Sequence, residues 1–76
     1  MITVKLYGLI RIESGIKEKQ LEADSVKEVL DALKDCGIDL RNLNGCIILI
    51  NGKSVNKRKK LEDGDTVVLM SPVAGG

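Results

Sequence analysis

From Met1 to Tyr7 polar and apolar residues alternate. Ile2, Val4 and Leu6 point one way, and Thr3, Lys5 and Tyr7 the other. That period of two predicts a half-buried strand. Gly8 and Gly15 bracket a segment carrying Arg11 and Glu13, which reads as a loop. Ile16 to Glu22 is expected to return as a second strand, paired with the first as a hairpin, although Lys17, Glu18, Lys19 and Gln20 dilute its pattern. The period then changes. Val26, Val29, Leu30 and Leu33 stand at i, i+3, i+4 and i+7, one apolar face of a helix from about Val26 to Cys36. Ser25-Val26-Lys27-Glu28 has the form of a capping box, in which Ser25 accepts from the N–H three residues on and Glu28 reaches back. Gly37 is placed to stop the helix.

Cys46 to Ile50 is a continuous apolar run with β-branched residues, read as a central strand. Asn51-Gly52 signals a tight hairpin turn, and Lys53 to Val55 a short edge strand. Lys57-Arg58-Lys59-Lys60 is a basic loop, read as a solvated surface ahead of a docking site. Glu62-Asp63-Gly64-Asp65 is a turn before it is a metal site. Thr66 to Met70 is the last strand, and Pro72, with no N–H to donate, ends the ladder. The order strand, strand, helix, strand, short strand, strand predicts an α+β fold: a mixed sheet of four to five strands with one main helix packed on one face. The β-grasp is the simplest topology that fits, with the first and last strands side by side in the centre. Residues 1–71 form the domain and 72–76 a flexible C-terminal tail.

One feature exceeds what a single helix can cover. Ile47 and Leu49 face opposite to Ile48 and Ile50, and Val67 and Leu69 opposite to Val68 and Met70. The uncovered residues are either surface apolar positions flanked by Lys5 and Tyr7 or a patch that binds a partner, with Val68 and Met70 as its candidates.

Composition narrows the function. At 76 residues there is one domain. Twelve basic against 11 acidic residues give a net charge of +1, no field to steer the chain to nucleic acid or an anionic membrane. Tyr7 is the sole aromatic, too few for the stacking platforms of single-strand binders. There is no histidine to activate Cys36 or Cys46 as a nucleophile, and two thiols fall short of the four ligands of structural zinc or an iron–sulfur cluster. No metal site and no bound cofactor are therefore expected. No apolar run approaches the roughly 20 residues that span a bilayer, and the N-terminus reads as a strand. A cytoplasmic location is expected, with both cysteines as small buried residues.

Candidate chemistry then concentrates in Pro72-Val73-Ala74-Gly75-Gly76. Five extended residues reach about 17 Å at most, a thin arm beyond a central strand. Glycines let backbone pass close to the walls of a narrow active site. The reactive group of such an arm is the Gly76 carboxylate, a poor electrophile until activated, most simply as a mixed anhydride with AMP.

Leu61-Glu62-Asp63-Gly64-Asp65-Thr66-Val67-Val68 followed by Ser71-Pro72-Val73-Ala74-Gly75-Gly76 resembles the end of the MoaD/ThiS family of ubiquitin-like sulfur carriers. Asn51-Gly52-Lys53-Ser54-Val55 resembles the family's hairpin, and Tyr7 with the Arg11–Glu13 segment its first one. The likeness covers essentially the whole chain. The proline–valine ending is most similar to the molybdopterin synthase small-subunit branch, although Leu69-Met70-Ser71 stands where many members carry aromatics.

The resemblance implies a carrier and not an enzyme. Gly76 would be adenylated by a ubiquitin-activating-type enzyme, which consumes ATP, and then converted to a thiocarboxylate by a sulfur donor system. Gly75 would pass through the channel of the molybdopterin synthase large subunit, with Pro72, Val73 and Ala74 threading behind it. Sulfur would go to a pterin precursor that later holds molybdenum or tungsten. The free chain is expected to be a monomer. The alternatives are a carrier for thiamine or another sulfur pathway, and a protein modifier joined through Gly76 to a lysine.

Overall fold

Strand β1 (Ile2–Gly8) runs into a short helix α1 (Leu9–Ser14), followed by β2 (Glu18–Leu21), α2 (Val26–Asp35), β3 (Ile47–Ile50), β4 (Lys53–Ser54) and β5 (Thr66–Ser71). The computed structural model describes residues 1–38 and 45–71. The expectations for Pro72–Gly76 therefore lie outside the described residues.

The strands form one sheet in the order β2-β1-β5-β3-β4. β1 and β5 are parallel, and every other neighbouring pair is antiparallel. First and last strands thus lie side by side in a mixed sheet, as the element order implied. Alternation along the strands sends Ile2, Val4, Leu6, Ile48, Ile50, Val67 and Leu69 to one face, where α2 covers them with Val26, Val29, Leu30 and Leu33. Each such side chain contributes about 1.5–3 kcal/mol of burial free energy against full exposure. Ile10, Ile38 and Leu61 complete this core.

Both ends of α2 follow local chemistry. Ser25 is extended, and its hydroxyl accepts from the Glu28 N–H at 3.3 Å. The return half of the box differs from expectation: Glu28 Oε2 accepts from the Asp24 N–H at 3.3 Å, one residue before the cap. At the other end Gly37 adopts a φ of 94°, a left-handed conformation that favours glycine. It donates to the Lys34 carbonyl and Ile38 to the Leu33 carbonyl, the paired bonds of a Schellman motif. Asn51 and Gly52 both have positive φ, as the type I′ turn between β3 and β4 demands.

Three expectations are corrected. The Gly8–Gly15 segment is helix, not loop. A six-residue helix is too short to show a period and too short to be stable alone; this one is held by Ile10, which is fully buried. Cys36 is exposed because it is the C-terminal cap of α2, and Cys46, ahead of β3, is half-buried; neither is in a disulfide. β2 is shorter than Ile16–Glu22, whereas β5 extends to Ser71. No described helix is long and apolar enough to cross a membrane.

Candidate functional site

The sheet face away from α2 is built in rows, because residues paired across strands share a face. The first row sets Gln20 beside Thr3 and Thr3 beside Thr66. The second runs Glu18, Lys5, Val68, Leu49, Ser54. The third runs Tyr7, Met70, Ile47. The face therefore grades from polar to apolar toward the C-terminal end of β5. In that last row Tyr7 is 41% exposed, Met70 40% and Ile47 53%, while Val68 and Leu49 behind it are half-buried. Large apolar side chains left open in one row, with charge at its flank, form a surface whose desolvation by a partner is favourable.

Val68 and Met70, the two residues anticipated from sequence, are thus neighbours two residues apart along β5 on this face, with Met70 the more open. Sequence reasoning had assigned Tyr7 to the flank and had not selected Ile47. The register places both directly beside Met70, and cross-strand register is the signal that alternation alone does not carry. Gly76, Gly75, Ala74, Val73 and Pro72 follow from β5 and lie outside the described residues.

Ser71, the residue before Pro72, is closely packed. Ser71, paired with Gly8 at the last rung of the β1–β5 ladder, points to the covered face with Val67 and Leu69 and is 8% exposed. Its hydroxyl accepts from the Ile10 N–H at 2.7 Å. Gly8 has a φ of 79°, and a Cβ there would meet the Ser71 carbonyl oxygen at 2.2 Å. Only a glycine fits so close an approach. No signal in the sequence marked Ser71 beyond its place before Pro72.

The remaining chemical groups are quiet. Burial pushes the Cys46 thiol above its ordinary pKa of 9.0, which suppresses the thiolate. Asp63 pairs with the Met1 amine, and Asp65 accepts from the Glu62 N–H at 2.9 Å, so these carboxylates tie the turn and the N-terminus together. Among the described residues no three histidine, cysteine, aspartate or glutamate side chains are grouped to hold a metal. A shallow cleft lined by Ile2, Ala23, Asp24 and Leu61 lies at the far end of the sheet from Ser71. The geometry offers an exposed apolar row next to Ser71, the last described residue.

The fold is the ubiquitin-like β-grasp, shared with solved structures of small carriers and modifiers. A chain of the complex of molybdopterin-converting factor subunits 1 and 2 from Helicobacter pylori is 28% identical, with a TM-score of 0.75 over 99% of this chain and 97% of that one. The Amycolatopsis orientalis BexX/CysO complex contains a chain 20% identical, with a TM-score of 0.77 and full coverage of both chains. Small archaeal modifier protein 1 of Haloferax volcanii is 21% identical, with a TM-score of 0.70 over 95% of this chain and 97% of that one. The last two likenesses speak to fold alone. No curated protein matches the chain. The ThiS family profile matches residues 4–76, and the chain belongs to the ThiS family. It is accordingly a ubiquitin-like sulfur carrier by fold and family.

Proposed function

We propose that this chain carries sulfur for molybdopterin assembly, as the small, non-catalytic subunit of a molybdopterin synthase. The observation that carries the reading is the Tyr7–Met70–Ile47 row set directly beside Ser71, the last residue before the tail. A partner seated on that row takes in the tail at the same time. The likeness to the Helicobacter pylori converting-factor complex supports the choice of pathway, as does the Pro72-Val73-Ala74-Gly75-Gly76 ending.

The chemistry uses Gly76. One carboxylate oxygen attacks the α-phosphorus of ATP in the ubiquitin-activating-type partner, and pyrophosphate leaves with its bonding electrons. The acyl-adenylate carbonyl then takes a sulfide-equivalent sulfur from the donor system, and AMP departs with the broken C–O bond. The thiocarboxylate enters the large subunit, gives its sulfur to the pterin precursor, and returns to a carboxylate with oxygen from water. Gly75 keeps the backbone slim in the channel, and Pro72, Val73 and Ala74 thread it. Val68 and Met70 belong to the docking surface. ATP is the partner's substrate, and the carrier holds no cofactor. The protein acts in the cytoplasm and is a monomer until it meets a partner.

Mass spectrometry of the protein from its native cell tests this. Sulfur in place of one terminal oxygen supports the carrier role, and co-purification with a molybdopterin synthase large subunit supports the pathway. Removal of Gly75 and Gly76 is expected to abolish pterin sulfuration while the melting temperature stays unchanged; retained activity would sink the proposal. The Gly75-Gly76 ending also suits a second reading, in which Gly76 is joined to lysines of other proteins. A ladder of conjugates would support it.

A further inference from the structure

The short helix α1 begins at Gly8, which has no side chain to cap it. The first N–H groups of a helix need partners from outside the helix. Here the cap arrives from the opposite end of the chain. The Ser71 hydroxyl accepts from the Ile10 N–H at 2.7 Å, the second helical position, where a capping side chain ordinarily bonds. The same hydroxyl lies 3.5 Å from the Tyr7 carbonyl oxygen, to which it can donate. Ser71 is the one buried polar residue among those described.

The Ser71 carbonyl lies close against Gly8, where a Cβ would come within 2.2 Å of its oxygen. The side chain is thus hydrogen-bonded and the backbone packed against a glycine, and this residue is joined directly to Pro72. A residue before proline is confined to extended conformations, and proline fixes its own φ. The restriction before proline thus falls on Ser71, the residue that is already hydrogen-bonded. Serine is not needed to fill this place, since an apolar side chain would suit a position facing Val67 and Leu69. A hydroxyl is needed to tie the strand end to α1.

We propose that Ser71, hydrogen-bonded to the Ile10 N–H and packed against Gly8, is a positioning residue that sets the direction in which the Pro72–Gly76 arm leaves the domain. This rests on the carrier reading and adds a division of labour to it. The Tyr7–Met70–Ile47 row fixes how tightly a partner docks. The Ser71 clamp fixes how often the docked arm points into the active site. A reactant held at its root has a higher effective concentration at its target than one that swings freely.

The test is steady-state pyrophosphate release by the source cell's adenylating enzyme, with ATP and the full chain as varied substrate. Ser71→Ala is expected to lower kcat about 10-fold with KM within about twofold, and Ser71→Thr, which keeps the hydroxyl, to recover most of the loss. An unchanged kcat despite a lower melting temperature would make the hydroxyl merely structural and overturn the proposal. So would a raised KM at constant kcat, which would place Ser71 in docking. A measurement on the chain alone separates this from the carrier reading. In NMR relaxation the Val73 amide order parameter is expected to fall in Ser71→Ala, and an unchanged value overturns the clamp. If the wild type releases no pyrophosphate, the carrier reading fails and the order parameter still decides the clamp.

Discussion

The two faces of this sheet are made from the same strands and nearly the same residue types, yet one is buried and the other open. Leu69 and Met70 are consecutive, both large and apolar. Leu69 is fully buried beneath α2, and Met70 is 40% exposed beside Tyr7 and Ile47. Hydrophobicity alone does not separate a core residue from an exposed one. What separates them is whether another element covers the face, and α2, with a single apolar stripe, can cover only one. The uncovered face keeps its apolar row at the end where the tail begins and surrenders the other end to Thr3, Thr66 and Gln20.

The sharpest way to break that comparison is to cut both neighbours. Leu69→Ala is expected to destabilise the domain by about 2–5 kcal/mol, measured by urea unfolding, since it leaves a cavity in the shared core. A loss under about 1 kcal/mol would mean the core does not depend on this strand. Met70→Asp is expected to weaken binding to the large subunit about 10- to 100-fold, a hot-spot effect read by calorimetry, with stability changed by about 0.5 kcal/mol or less. If stability falls as far as in Leu69→Ala, the open face is core in disguise.

The smallest effect contrasts the two thiols. Cys36, at the exposed cap, is expected to react with iodoacetamide several-fold faster, about threefold or more, than half-buried Cys46, followed by peptide mapping near pH 8. Burial raises the Cys46 pKa above 9.0, so the unfolded chain ionises this thiol first. Its contribution to stability is present below about pH 9 and declines as pH climbs toward the folded value. Equal rates for the two thiols would show that the start of β3 is open to solvent.

Much of this was legible residue by residue. The period of two in Ile2–Leu6, the helical stripe of Val26–Leu33, the Asn51-Gly52 turn and the Gly37 stop each rest on contacts within a few residues, so their signals are local. The resemblance carried by the Gly64-centred turn and the Pro72–Gly76 ending held as family membership. The Gly8–Gly15 segment is helix rather than loop because α1 owes its existence to a core contact by Ile10 and to an accepting hydroxyl, that of Ser71, 61 residues away. Cys36 was misplaced for a similar reason: a cap residue sits at a helix end, where burial depends on what packs there.

The sequence by itself determined most of the elements and the two apolar faces of the central strands, because periodicity and turn residues are properties of neighbours. The tertiary structure decided which face α2 covers, which residues stand beside Met70, and how Ser71 is gripped. Those are properties of register between strands distant in the chain, where Tyr7, Met70 and Ile47 become one row only once β1, β5 and β3 are side by side.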